Sequence, residues 1–591
     1  MTVDSRPSEN HLGGEALAPP RPVARPKIGL AGWATFVGVS VIAGAHSAFS
    51  MASLGYWSLT NDTGAQYHLS KLTAEGAVPL VDFQHGWNAG SWWIGGALYR
   101  LAGGDPTIWA WLNGRLLAGT LAAILLAAIG LRLRLHPAAM VAIVVGVLFV
   151  VRPASLKYAL PIVWCFVLLP TPLVERRQRA LLLYAAVPAL LFWIHVELAV
   201  MLTAGTVLYL LVGARQPVWR VRGERALATV AGLVAGFVTE AVYYGVRHGL
   251  SVAELNRQVV LGQATEFPKH FGWPFLSAPG NVDTYLVVAL FPSLVLLPFV
   301  PLLWRRTSDP TRFIALLAVC LTTVVIRRPG PGHGDTIGAL VAMAVILLVC
   351  DLHAQRFDAP GRCSRRRGGA AIGGAAWAGL TVALGFGVQS LLAPTLLVLS
   401  VVLAALAARH VTSGLVWASG GALVVLGVLP LAATGDRLGD LTNGDDPYGL
   451  ADALAVAIDP EVDQCLAGTD EALVVPTVLT LYDRLDLRNP TPYYLFHYDF
   501  GRNKDDVVDG METGRIPAVI AAMSIPDYLP WFRDSLVDNY VLCSRVRGIE
   551  QRHIVEIWVH QSRAPEQARE VTIAPDGSRE VSPLDRRGGD D

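Results

Sequence analysis

Charge is scarce in this sequence. Only 16% of its 591 residues are Asp, Glu, Lys or Arg, while 53% are hydrophobic and the mean hydropathy is +0.44. A water-soluble enzyme of this length carries more charge, so composition excludes the ordinary soluble classes and points to a polytopic membrane protein. Net charge is absent as well, because 47 basic residues balance 47 acidic ones. No nucleic acid is expected among the partners. Cysteine is sparse. Cys165, Cys320 and Cys350 lie in apolar segments, Cys363 in a basic loop, and Cys465 and Cys543 in the polar C-terminal part. There is no CxxC pair and no Cys/His metal spacing, which argues against a zinc site. No internal repeat is visible, so a transporter built from inverted repeats has no signature here.

What is present is a series of long apolar runs. A Pro-, Ser- and Gly-rich stretch over residues 1–27 is expected to be a disordered cytoplasmic tail. Arg21, Arg25 and Lys27 then flank an apolar run over 28–48 that is long for a signal-peptide core. An uncleaved first span is expected, with a small-residue cleavage site at 45–48 as the alternative. Further runs follow between residues 107 and 433, of which 138–151 and 313–327 are short. A crossing takes about 20 apolar residues, so about 11–13 transmembrane helices are expected over 28–433. Arginines gather in alternate loops, at Arg132 and Arg134, at Arg215 to Arg225, at Arg305 and Arg306, and at Arg362 to Arg367. Cationic loops stay in the cytoplasm, which puts the N-terminus inside and everything after an odd number of spans outside.

Past residue 433 the composition turns polar and acidic. Short apolar runs at 472–475, 518–521, 540–543 and 554–559 read as strands, with helical patterns at 450–458 and 527–536. The expectation is an extracytoplasmic α/β domain over 434–561, followed by a charged, disordered tail over 562–591. Cys465 and Cys543 would then face an oxidising compartment, where a disulfide between them is expected to persist.

The loop 49–106, after the first span, concentrates the polar and aromatic residues. Asp62 opens a run in which Ala65, Leu69 and Leu72 share one helical face and His68, Lys71 and Glu75 the opposite one. That spacing suits a helix lying flat on the outer leaflet. Asp62 or Asn61 could simply cap this helix, a role compatible with chemistry. Gly76, Pro79, Asp82 and Phe83 form a tight turn, and Trp87, Trp92 and Trp93 suit the headgroup layer. Asp82 beside His85 reads either as a structural pair or as part of a site.

An Asp shortly after the first span, followed by Tyr67, Gly76, Pro79, Asp82 and Phe83 and then a Gly- and aromatic-rich helix, resembles the first outer loop of GT-C membrane glycosyltransferases. Relatives in that class include protein mannosyltransferases and aminoarabinose transferases, which use polyprenyl-phosphate-linked sugars. The resemblance implies a GT-C-like fold and a glycosyltransferase in which the loop's first acid, here Asp62, is the base toward the acceptor. Many members carry a paired Asp-Glu where this chain has Asn61-Asp62-Thr63. The need for a divalent metal is therefore open, and no other cofactor is implied.

The residues fit that chemistry without the family. Transfer from a sugar phosphate needs a base at the acceptor hydroxyl and cations at the departing phosphate. Asp62 is the candidate base and Asp82 its support. Arg327 and Arg328 precede Pro329 to His333, similar to an Arg-x-Asp-x-x-His element of related transferases with Gly330 in place of the Asp. Arg matches phosphate bidentately; headgroup snorkelling is the alternative. Lys157, with Arg152, forms a second cationic pair, and His333 joins the first. His195 and Glu197 at an outer turn, His85, and the intramembrane Glu240 are further candidates for substrate contact. An acid within a span is costly unless paired, so Glu240 is expected either to function or to meet an Arg or Tyr. The loop 247–284 suits a lid, and the Asn489-Pro490-Thr491 segment suits a turn or an acceptor contact. Expected partners are the lipid-linked donor, an envelope glycan, lipid or protein acceptor, and membrane lipids. The rival readings are a transporter or flippase of lipid-linked sugars, and a non-catalytic glycan-binding scaffold.

Overall fold

The computed structural model describes residues 30–51, 62–84, 88–133, 159–169, 177–214, 218–259, 307–327, 450–475, 478–494, 503–521, 530–549, 553–563, 568–574 and 578–583, with isolated positions between 135 and 144 and between 340 and 351. The expected runs at 284–304, 370–389, 391–408 and 414–433, and the tail 1–27, lie outside them.

The first helices are α1 (Leu30–Met51), α2 (Asp62–Glu75), α3 (Ala89–Leu101), α4 (Pro106–Ala110) and α5 (Ala122–Arg132), with π-helical turns over Trp111–Leu121 before α5. The bundle continues with α6 (Leu160–Leu168), α7 (Arg177–Ile194), α8 (Val196–Leu208), α9 (Trp219–His248) and α10 (Asp309–Arg327). Among the described residues three helical runs, Pro106–Arg132, Val196–Gly213 and Trp219–His248, are long and apolar enough to cross a membrane.

Helix α9 shows why this sequence needs lipid. Its exposed positions include Leu227, Val230, Val234, Val238, Val242 and Val246, an apolar stripe at helical spacing. Its polar Thr229 and Glu240 are buried. A soluble helix has the reverse arrangement. At 30 residues it is about 45 Å long, more than the ~30 Å hydrocarbon layer. On its inner face, Gly232 and Gly236 let α7 approach backbone to backbone. A Cβ at Gly232 would land on the Ala185 carbonyl oxygen, and one at Gly236 would lie 2.8 Å from the Ala189 oxygen. Lipid gives helices no hydrophobic reason to associate, so close packing of small residues holds such pairs together. Gly232→Val should therefore destabilise the bundle by about 1–3 kcal/mol. The measurement is thermal unfolding in detergent, with Gly223→Val, where a Cβ meets nothing within 4 Å, as the neutral control.

Helix directions sort the bundle into two ends. Helices α7 and α9 run parallel, since Ala185 meets Gly232 and Trp193 donates to Thr239 Oγ1 at 3.0 Å. Helix α10 runs antiparallel to α8, since Arg312 Nη1 donates to Gly213 O at 2.7 Å and Leu317 lies against Gly205. One end thus collects Arg132, Arg179, Arg220, Arg225 and Arg312. The other end holds Asn88, His195 and the C-terminus of α10 at Arg327.

Residues 450–583 form a mixed sheet with helices on both faces. Its elements are α11 (Leu450–Cys465), β1 (Leu473–Val475), α12 (Thr480–Arg484), α13 (Lys504–Glu512), β2 (Ala518–Ala521), α14 (Pro530–Asn539), β3 (Tyr540–Ile549), β4 (His553–His560), β5 (Arg569–Ile573) and β6 (Arg579–Pro583). The strand order is β1-β2-β4-β3-β5-β6. Side chains alternate across it. Val474 and Ile520 pack with Leu454 and Ile458 of α11, whereas Leu473, Val475 and Val519 pack with Met511, Phe532 and Leu536. A disulfide joins Cys465 at the end of α11 to Cys543 in β3.

The stretch expected to be a disordered tail from 562 onward is partly sheet. Strand β5 pairs parallel with β3, and β6 pairs antiparallel with β5. Val571 is buried in the core under α11, which anchors an otherwise charged hairpin.

Candidate active site

Helix α2 starts at Asp62, as the sequence predicts. It does not lie on a lipid surface. It is enclosed between α3 and the sheet-bearing domain. Against α3, Ser70 and Thr73 fit the notches left by Gly95 and Gly96, Trp109 Nε1 donates to Gly95 O at 3.1 Å, and Arg100 Nη2 donates to Ala74 O at 2.6 Å. The face expected in water meets protein instead. His68 Nδ1 lies 2.9 Å from Asp483 Oδ2, and Lys71 Nζ donates to Asp483 Oδ1 at 2.7 Å. The His68 ring stacks on Tyr482 at 5.5 Å and tilts against Tyr494 at 5.6 Å. Ala65 belongs to the core of the sheet domain.

Electrostatics at this contact favour the ionised pair. Burial pushes the Asp483 carboxyl up, but the His68 hydrogen bond and the Lys71 ammonium outweigh it and hold the group below the usual carboxylate range. Desolvation pulls Lys71 down, and Asp483, with Glu75 and Tyr99 nearby, more than restores it, so the ammonium sits above its usual value. Burial first, and then the Asp483 charge, push the Tyr494 phenol up to about 12. A carboxylate held low contributes stability that is present above its unfolded pKa, about 4, and is lost as pH falls through the lower folded value. An ammonium held high contributes stability that is present below about 10.4 and is lost as pH rises through the raised value. The melting-temperature gap between wild type and Asp483→Asn should therefore narrow as the pH falls below about pH 4.

The turn after α2 is built by Asp82. Its Oδ2 accepts from Val78 N at 2.6 Å, while Leu80 N donates to Phe83 O at 2.8 Å. Leu80 has φ +69°, a strained backbone that this hydrogen bonding holds. Asp82 is exposed, and one of its carboxylate oxygens is used in shaping the turn. Phe83 and Trp92 are buried against each other and beside Tyr494, so Trp92 is a core residue and not a headgroup anchor. Gln84 then ties the turn to the sheet domain: its N–H donates to Pro492 O at 2.6 Å, and its Oε1 accepts from Asn503 Nδ2 at 3.3 Å. The Asn489-Pro490-Thr491 segment is thus a turn that presents Pro492 to the loop.

Asn88 fixes the other side of the loop. It precedes α3 but does not cap it. Its Oδ1 accepts from Val196 N at 2.9 Å, and its Nδ2 donates to Glu240 Oε2 at 3.2 Å. Glu240 therefore finds an amide within the bundle, not the Arg or Tyr expected from sequence. His195 and Glu197 are buried in the sharp turn between α7 and α8, next to the amide that Asn88 holds. Asn88, Glu240, His195 and Glu197 thus gather beneath the start of α3.

The cationic half of the site is described only in part. Helix α10 ends at Arg327, at the same end of the bundle as Asn88 and His195. The side chains of Asp62 and Arg327, and all of His85, Lys157, Arg328 and His333, lie outside the described residues. Among the described residues no group of three or more His, Cys, Asp or Glu side chains is placed to hold a metal ion. Sequence reasoning missed Asn88 and Asp483. An Asn ahead of a helix looks like an ordinary cap, and Asp483 lies more than 400 positions from its partners, at separations of 412 and 415.

No protein-family model matches this chain, and no curated protein matches it. Two crystal structures of ArnT from Cupriavidus metallidurans are similar to it. The apo form is 16% identical, covers 91% of this chain and 99% of its own, and has a TM-score of 0.43. The form bound to undecaprenyl phosphate is 15% identical, covers 91% of this chain and 100% of its own, and has a TM-score of 0.39. Over most of its length the chain is similar to ArnT.

Proposed function

We propose that this chain is an integral membrane glycosyltransferase of the GT-C type, moving a sugar from a polyprenyl-phosphate carrier to a cell-envelope acceptor at the outer face of the cytoplasmic membrane. One observation carries the reading. The Asn88–Glu240 link, made from within the loop that bears Asp62, and the C-terminal end of α10 at Arg327 lie at the bundle end opposite the arginine-rich one. The arginine-rich end is the cytoplasmic one by the positive-inside rule. The Cys465–Cys543 bridge in the domain packed on α2 supports an oxidising, extracytoplasmic side for the site.

In the proposed step the acceptor hydroxyl gives its proton to the Asp62 carboxylate, and its oxygen bonds to the anomeric carbon of the donor sugar. The bond from that carbon to the phosphate oxygen breaks, and the electron pair leaves on the polyprenyl phosphate. Arg327 and Arg328, with His333 and Lys157, meet the phosphate charge. Asp82 supports Asp62 from the turn that its carboxylate shapes. His85, His195, Glu197 and Glu240 line the approach to the sugar. The carrier class is that of the lipid held by the second ArnT structure. The transporter reading is favoured by Glu240 alone, and its bond to Asn88 gives that carboxyl a local partner.

Lipid analysis of a deletion strain tests the reading. A polyprenyl-phosphate-linked sugar should accumulate, and the wild-type chain should clear it. A carrier pool unchanged by the deletion would overturn the assignment.

A further inference from the structure

The sheet domain could be a passive appendage, but its contacts with the loop have the form of a clamp. Asp483 of α12 grips α2 through His68 and Lys71, and Pro492 and Asn503 grip Gln84 thirteen residues beyond Lys71, by the numbering. Between these points α2 is braced from below by α3. His68 and Lys71 stand six and nine residues after Asp62 on one continuous helix. At 1.5 Å per residue, Asp62 lies about 9 Å and about 13 Å along the axis from the two gripped residues. A rigid helix carries the constraint that far, whereas a helix that rocks on α3 moves its N-terminus.

We propose that Asp483, contributed by the sheet domain, is a positioning residue for sugar transfer: by holding His68 and Lys71 it fixes α2 on α3 and thereby sets the place of the Asp62 carboxylate. The inference rests on the reading of Asp62 as base. It makes the C-terminal domain part of the catalytic apparatus without lending it a reacting group. The grip suits this task. Asp483 is largely buried, both its oxygens are used, and the aromatic rings of Tyr482 and Tyr494 close around His68. A charge-assisted contact in such a place is stronger and better directed than a surface ion pair.

The test uses the full-length purified protein, with hydrogen exchange at the α2 amides and steady-state transfer as separate readouts. Asp483→Asn should raise α2 exchange and lower kcat by about tenfold, with the KM for the lipid donor unchanged, because a loosened base impairs the step rather than donor binding. Asp483→Glu should recover part of kcat. The exchanged pair Lys71→Asp with Asp483→Lys should recover more than either single change. A purely structural contact would change stability without this split between kcat and KM. Unchanged α2 exchange in Asp483→Asn would overturn the clamp, whatever the activity. Raised exchange with unchanged kcat would overturn the positioning role. Wild-type protein that transfers no sugar would overturn the functional reading and the positioning role with it, while the exchange data would still report on the clamp.

Discussion

Asp62→Asn should reduce sugar transfer by about 100- to 10,000-fold, the range expected when a positioned general base is removed. The substitution separates the two roles open to this residue. Asparagine caps a helix about as well as aspartate, so α2 should form, the protein should melt within about 1 °C of wild type, and a pure cap would leave transfer untouched. The amide cannot take a proton from the acceptor hydroxyl, so a base would leave the protein folded and nearly inactive. Transfer by purified variant and wild type, with melting in the same detergent, is the measurement. Full activity in the Asn variant would end the assignment of Asp62.

The paired substitution Arg327→Gln with Arg328→Gln should cost about 100-fold or more in kcat/KM. Each charge-assisted contact to a phosphate contributes about 1.5–3 kcal/mol, and every 1.36 kcal/mol is a factor of ten in rate. The structure places the end of α10 at Arg327 at the same end of the bundle as the His195 turn. If the two arginines only snorkel to headgroups, the variant will insert less well but transfer normally per folded molecule. Lysine at both positions keeps the charge and loses the planar fork, so it should restore only part of the activity. Initial rates over a range of donor concentrations distinguish these outcomes.

Different parts of the molecule were legible to different degrees. The lipid-facing stripe of α9 and the strands at 473–475 and 518–521 are written in local apolar periodicity, and there sequence and structure coincide. Strand β5 was hidden because its pattern is charged and only Val571, with Ile573 packed at the edge, reaches the core. Its stability comes from pairing with β3, a partner that local composition does not reveal. Helix α2 was legible as a helix and misleading as a surface. Amphipathicity gives the polar face but not what the face meets, and here it meets Asp483 rather than headgroups. Trp92 misled for the same reason, since an indole suits a core as well as an interface. In the candidate site, the start of α2 and the end of α10 were readable from their neighbours in sequence. Asn88 and Asp483 were not, because their partners come together only in the folded chain.

The central claim is that this chain breaks the bond between a sugar and a polyprenyl phosphate. It is tested most directly by adding purified protein to lipid extracted from the deletion strain, together with envelope material from the same strain, and measuring free polyprenyl phosphate. The account predicts its release in step with sugar appearing on the envelope fraction, and its absence with Asp62→Asn. Passage of intact lipid-linked sugar across proteoliposomes, with no free carrier formed by the wild-type protein, would contradict it.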